Sequence, residues 1–248
     1  MLRRILSLYP LLLAAAVWEA VARGGLVHPL FLPPLSVVLA GMPALLQEGD
    51  IAGPLLTSLY RAAAGLAIAM VAGLVTGLLV ARVRWVRLLL GPLVAFGAPA
   101  PKIALLPVFI AWFGIGHFSK ILLVAMTAVF PFILAAQAGA EGVPVRQIWA
   151  ARAMGTSGFD LFRRVVCPAA LPALLTGLRV AVPYALITAF TAEMIAGGGG
   201  LGGTLVMAQR YFETPTVFAD ILLMLAVGYV VDLGLVRLQR TITPWSEA

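Results

Sequence analysis

The chain has 248 residues, 62% hydrophobic and only 11% charged, with a formal net charge of +7. That charged share is less than half the roughly 25% of an average soluble domain, which excludes a soluble globule: too much apolar surface would stay outside any single core. A lone cysteine, Cys167, excludes an internal disulfide, and the two distant histidines, His28 and His117, read as loop residues rather than metal ligands.

Six apolar runs follow one another, each long enough to cross a bilayer as a helix that satisfies its own backbone. The first is Ile5–Ala22. With Arg3 and Arg4 before it and Ala14–Ala16 within it, it resembles a secretory signal peptide, but it continues past the alanines and five further runs follow, so it reads as an attached helix. Glu19 and Arg23 at its end are spaced for an i, i+4 ion pair. The segment Gly24–Pro54 is rich in Pro and Gly, and Ser36–Gln47 inside it predicts a short interfacial helix.

The second run, Leu55–Val80, carries Gly65, Gly73 and Gly77, small residues that allow close helix packing. The third, Leu88–Trp112, contains Pro99, Pro101 and Pro107. Each removes a backbone donor that lipid cannot replace, so the stretch should face protein or a wet cavity. Lys102 lies among them. A cation at depth faces a pathway or a partner, so Lys102, with Pro101 and Pro107, is a candidate for a translocation path that favours anions; the bland alternative is snorkelling, or a structural pair with Glu193. The fourth run is Ile121–Ala140.

Residues 141–171 form the one soluble-looking segment with a regular pattern. Ile148–Met154 predicts a short helix ended by Gly155 in the left-handed conformation. Thr156 or Ser157 can cap a second helix running to about Val166, in which Phe159, Phe162 and Val166 share a face and Asp160, Arg163 and Arg164 decorate the rest. Pro168 should prevent that helix from continuing cleanly. The prediction is a helix–turn–helix with an aromatic and basic face toward the cytoplasm.

The fifth run, Ala173–Ala196, has Arg179 toward one end and Glu193, followed by Met194, near the other. The sixth, Val217–Val236, carries Asp232, which could pair with Arg179. Glu193 and Met194 join the candidate path residues, hydrogen bonding to an adjacent helix being the alternative for Glu193. Gly198-x-Gly200-x-x-Gly203 formally matches a dinucleotide fingerprint, but no strand precedes it, and it reads as a turn.

The gaps orient the chain. Arg3, Arg4, Arg82, Arg84, Arg87, Arg146, Arg152, Arg163, Arg164, Arg237 and Arg240 fall on one side if the runs alternate; Arg23, Lys120, Arg210, Glu48, Asp50 and Glu213 fall on the other. The excess of positive charge on the inner side places both termini in the cytoplasm. Basic residues spread through such gaps point to a membrane rather than to nucleic acid. Neither lysine sits in a Gly-Lys-Ser/Thr sequence, so no nucleotide-binding P-loop exists, and no nucleophile–base pair or paired carboxylates suggest an enzyme. Energy must come from a partner or from an ion gradient.

The loop resembles the EAA loop of bacterial ABC importer permeases. That family pattern is Glu-Ala-Ala, three residues, Gly, nine residues, then Ile-x-Leu-Pro. Ala150, Ala151, Gly155, Val165 and Pro168 match it at the family spacing; Trp149 stands where Glu is usual and Cys167 where Leu is usual. Leu32–Val37, Pro101–Pro107 followed by Trp112–Gly116, and Ala192–Met194 followed by Gly200–Gly202 look like the sulfonate, taurine and nitrate branch. The resemblance implies an all-α type I permease fold of about six spans in a single domain over 1–248, with a core at about 55–240. It implies a coupling helix at about Ser157–Val166, so Ala150, Ala151, Gly155, Ser157, Phe159, Asp160, Phe162, Arg163, Val165 and Pro168 become the candidate ATPase-coupling residues. It also implies a bacterial inner-membrane homodimer, two copies of a separate ATPase that use ATP and Mg, and a periplasmic or lipid-anchored solute-binding protein. No cofactor is expected in the chain itself. The solute would be a sulfonate-, taurine- or nitrate-like anion or a small heterocycle. The rivals are an ion-gradient-driven secondary transporter, which should show intramembrane acidic pairs and repeated halves, and a membrane enzyme or scaffold.

Overall fold

A computed structural model describes residues 9–48 and 51–243; Arg3, Arg4 and Asp50 lie outside the described residues. Every regular element among them is helical: α1 (Tyr9–Arg23), α2 (Leu35–Glu48), α3 (Ala52–Arg82), α4 (Arg84–Gly97), α5 (Leu106–Phe113), α6 (His117–Glu141), α7 (Val145–Ala153), α8 (Gly158–Leu161), α9 (Cys167–Ala196), α10 (Leu201–Arg210) and α11 (Thr214–Ile242). A 3-10 turn, Lys102–Leu105, leads into α5, and a π turn, Phe162–Val166, leads into α9. Four helices among the described residues are long and apolar enough to cross a membrane: α3, α6, the continuous stretch Phe162–Ala196, and α11. The first predicted run is described only as the 15 residues of α1.

The third predicted run is not one helix. α4 and the segment Lys102–Phe113 meet at 95°. Pro99 and Pro101 withhold the donors that would carry α4 past Gly97, so the backbone turns. The broken pair nevertheless carries the chain from one end of the molecule to the other. It starts next to the end of α3 and finishes beside the start of α6, where the His117 ring lies 5.7 Å from that of Tyr60 on α3. α3 and α6 therefore run parallel, side by side.

Their seam is made by the glycines. A Cβ at Gly65 would lie 2.6 Å from Val124 Cβ; one at Gly73 would strike Phe132, and one at Gly77 would strike Ala136 Cβ at 2.6 Å. Close approach lets dispersion act along the whole contact, which is what holds helices together where lipid is as apolar as the core. α9 packs antiparallel on α6 as well: Gly139 meets Ala170 and Ala173, and Gly177 meets Ala135. The resulting core is small-residue rich, with Ala69, Val124, Ala128, Phe132, Ala181, Ala185 and Ala189 buried together.

The segments around this core are tied by polar contacts. Glu19 accepts from Arg23 at 2.6 Å and also holds Ser36 by its hydroxyl (2.7 Å) and its N–H (3.1 Å), so the predicted i, i+4 pair also caps α2. Trp18 Nε1 donates to Pro33 O at 2.9 Å, and Thr214 Oγ1 donates to Leu30 O at 2.7 Å. At the arginine-rich end Arg87 donates to the Val80 and Ala81 carbonyls and to Glu141 at 2.9 Å. Arg179 and Asp232 do pair, at 3.1 Å.

Candidate functional site

The loop between α6 and α9 is built from backbone outward. α7 ends at Gly155, whose φ of +85° is the left-handed conformation predicted for it. Gly155 N–H donates to Arg152 O at 2.9 Å and Thr156 N–H donates to Ala151 O at 3.0 Å. That is a Schellman closure, and it spends the orphan carbonyls of α7 inside the turn. The chain then re-enters helix, with Leu161 N–H on Ser157 O at 3.4 Å. Ala151, Leu161 and Val166 are buried, and Ile148, Phe162 and Val165 pack around Val166, Ala140 and Val143.

One expectation is met and one corrected here. Pro168 does not let the helix continue as regular α-helix, although the chain stays helical through Phe162–Ala196. Proline at this position has no N–H and would crowd the carbonyl of residue 164, and the chain answers by widening into the π turn, with Cys167 N–H donating to Phe162 O, five residues back. Nor does Phe162 face outward with the arginines. It packs inward against the ends of α3 and α6, while Trp149, 64% exposed, and Met154 are the large apolar side chains on the surface. Asp160 pairs weakly with Arg164 at 3.7 Å on that surface, and Ser157 and Arg163 are exposed there too. The side chain of Phe159 lies outside the described atoms.

The structure brings four predicted loop residues together. Ala150, Ala151, Val165 and Pro168 line one groove of about 620 Å³, shared with Met154 and Arg164. One wall comes from α7 and the other from the first residues of the long helix. Gly155 sets the angle between them.

The candidate path residues separate into two places. Lys102 lies at the break between α4 and α5, where its Nζ donates to the Ala98 carbonyl that α4 leaves unpaired and sits 4.4 Å from the centre of the Phe130 ring. It lines a cavity of about 270 Å³ with Thr127, Phe130 and Tyr184. Tyr184, Ile187, Thr191 and Ile195 repeat along one outward face of α9, and Met194 stands at its edge. Pro101 and Pro107 are exposed near the same break. A face carrying an ammonium, a phenol and a threonine hydroxyl is poorly matched to lipid.

Glu193 points the other way. It is 0% exposed and its Oε1 meets Arg61 Nη1 at 2.8 Å, Arg61 being 1% exposed. Its Oε2 accepts from Ser58 Oγ at 2.7 Å and from Gly202 N–H at 3.1 Å. The partner is therefore Arg61, not Lys102. Arg61 also donates to Gly199 O (3.0 Å), Gly198 O (2.6 Å) and His117 Nδ1 (3.3 Å), and Ser58 Oγ accepts from Leu201 N–H at 2.9 Å. Lys120, likewise fully buried, donates to Ile115 O at 2.6 Å close by. The predicted turn after α9 is thus four glycines, all at positive φ, strapped to α3 and α6.

Sequence reading missed Ser58, Arg61 and Asp220. Arg61 was visible as the lone cation inside the second apolar run, and Asp220 as a carboxyl inside the sixth. A charge inside an apolar run was the available signal for both.

Comparison with known proteins agrees with this architecture. Residues 69–244 match the family described as binding-protein-dependent transport system inner membrane component. The chain is 35% identical to the taurine transport system permease protein TauC of Escherichia coli (strain K12) over 97% of this chain and 89% of that one. It is 30% identical to the formylaminopyrimidine transport permease protein ThiX of Halalkalibacterium halodurans over 95% and 94%. Among solved structures, an inward-facing conformation of the MetNI methionine ABC transporter superposes with a TM-score of 0.70 at 20% identity, covering 78% of this chain and 96% of that one, a likeness of fold. With most of its length matched to the family and a whole-length relative above 30% identity, the chain belongs to the binding-protein-dependent transport system inner membrane components and is a permease subunit of an ABC transporter.

Proposed function

We propose that this permease imports a small anion of the sulfonate or taurine kind, driven by a separate ATPase that docks on the 145–168 loop. The observation that carries the reading is mechanical. The loop's second helix is continuous with the 30 residues of α9, so a push on the groove at Ala151 and Pro168 turns the helix that presents Tyr184 and Thr191. Two ATPase copies closing on ATP and Mg would move two such levers in a homodimer. The transporter then shifts between inward-open and outward-open states through differential contacts in each. Ala150, Ala151, Gly155, Ser157, Phe159, Asp160, Phe162, Arg163, Val165 and Pro168 shape or present that docking surface. A periplasmic or lipid-anchored binding protein delivers solute at the opposite end, and both termini and the loop lie in the cytoplasm.

The anion preference rests on Lys102. Its ammonium, held by the Ala98 carbonyl and the Phe130 ring, lines the cavity with Thr127 and Tyr184. Nitrate-like ions and small heterocycles are the other solutes of this size class, and a ThiX-like relative keeps the heterocycle in play. The test is uptake by proteoliposomes holding the permease, its ATPase and the soluble partner, with labelled taurine, an alkanesulfonate and a pyrimidine compared. Saturable uptake of a sulfonate, lost when Lys102 is replaced by Met, is the expected result. Uptake of the pyrimidine alone, unchanged by that substitution, would contradict the anion reading.

A further inference from the structure

We propose that Arg61 and Glu193 form a latch that sets the wall of the cavity at the binding-protein end, and that solute transfer depends on the held shape of that wall. The proposal rests on the permease reading above and assigns a positioning role to both residues.

The two charges are withdrawn from solvent, 1% and 0% exposed, in a stretch of apolar helix. A buried pair is stable there only if its polar atoms find partners. Here all three Arg61 nitrogens and both Glu193 oxygens have one. Arg61 has four acceptors on three elements: Glu193 on α9, the Gly198 and Gly199 carbonyls, and His117 on α6. Glu193 collects Arg61, Ser58 and the Gly202 N–H of α10. One ion pair thus fastens α3, α6, α9 and α10 at a single point.

The glycines are cut to fit the pair. A Cβ at Gly200 would fall on the Glu193 carboxylate, and one at Gly202 would lie 2.8 Å from Glu193 Cβ. Gly198, Gly199 and Gly200 hold φ of +79°, +78° and +89°, which side chains resist. Gly200 O starts α10 by accepting from the Gly203 and Thr204 N–H groups, whereas the Gly198 and Gly199 carbonyls are received by the guanidinium. The same Gly198 and Gly199 line a cavity of about 660 Å³ with Met194, Arg210, Tyr211 and Thr216. Arg61 therefore fixes, from behind, the wall that an arriving solute or partner meets. A simple staple between α3 and α9 would need the ion pair alone. The two extra bonds to the loop carbonyls are what a device for holding the loop requires.

The test uses the complete transporter in proteoliposomes with its ATPase and binding protein. Glu193→Gln keeps the shape and most hydrogen bonds but drops the charge. Gly199→Ala leaves the pair intact, meets nothing within 4 Å, and strains only the loop. Both variants are expected to raise the concentration of loaded binding protein that gives half-maximal uptake by about tenfold, the equivalent of one decade in affinity, with binding-protein-independent ATP hydrolysis within about twofold of wild type. For Gly199→Ala the melting midpoint in detergent should stay at the wild-type value. Wild-type half-saturation in both variants would overturn the latch. So would a defect in Glu193→Gln that follows its melting midpoint while Gly199→Ala is normal, which would make the pair a staple. Failure of the wild type itself to take up solute would overturn the import reading, and with it the latch that rests on it.

Discussion

At the scale of the residue, the charges inside the apolar runs matter most. Arg61→Ala would leave Glu193 buried without its cation, a loss of about 3–5 kcal/mol. We expect a large fall in the melting midpoint in detergent, partly recovered by Arg61→Lys, and an unchanged midpoint would mean the pair is solvated. Gly155 is a milder case. Its φ is +85° with open space around its absent Cβ, so Gly155→Ala should cost about 1–2 kcal/mol of loop stability through backbone strain alone, read as faster protease cleavage between α7 and α8. Cleavage at the wild-type rate would show that the turn tolerates a side chain. Gly155 was legible in the sequence because its signal is local, whereas Arg179 and Asp232 could be named only as a candidate pair whose contact the structure supplies. The Arg61–Glu193 pair was not legible, because its partners are 132 residues apart and only packing decides which cation reaches which acid.

At the scale of the element, prolines and glycines did the organising, with different legibility. The glycines of α3 were read correctly as a packing seam, since small residues at helical spacing in an apolar run have few other uses. Gly73→Leu should push α3 off Phe132 and lower the melting midpoint by an amount equivalent to about 1–3 kcal/mol; no change would place Gly73 away from α6. Pro99 and Pro101 were read as lost donors that should face protein or a wet cavity but not as a 95° bend, because sequence shows that a hydrogen bond is missing and not which way the chain turns. Pro168 was read as preventing a clean continuation of the helix, and the chain does continue only through a π turn. A proline in the first turn of a helix needs no N–H, and here the preceding π turn makes room for its ring. Pro168→Ala should let that turn relax to α-helix and rotate the loop against α9. Stability should hardly change, while uptake per ATP hydrolysed falls. Equal coupling in the variant and the wild type would remove any role for the π turn.

At the scale of the molecule, the order of spans and the family were open to reading from composition and motif, and the paths between spans were not. The parallel run of α3 beside α6 is what alternation of the runs predicts; the 95° break in the third span, which hydropathy counts as one continuous run, is not. Orientation can be checked with the chain's only cysteine, Cys167, exposed at the start of α9. A membrane-impermeant maleimide should label it in inverted vesicles and spare it in right-side-out ones, and the reverse pattern would put the loop outside. The deepest claim is that the work of transport enters from another protein through residues 145–168. The direct measurement is solute accumulation by sealed proteoliposomes, with and without the partner ATPase, at zero ion gradient. Accumulation only with the ATPase, internal ATP and loaded binding protein is the predicted result. Accumulation by the permease alone, driven by an imposed proton or sodium gradient, would contradict it.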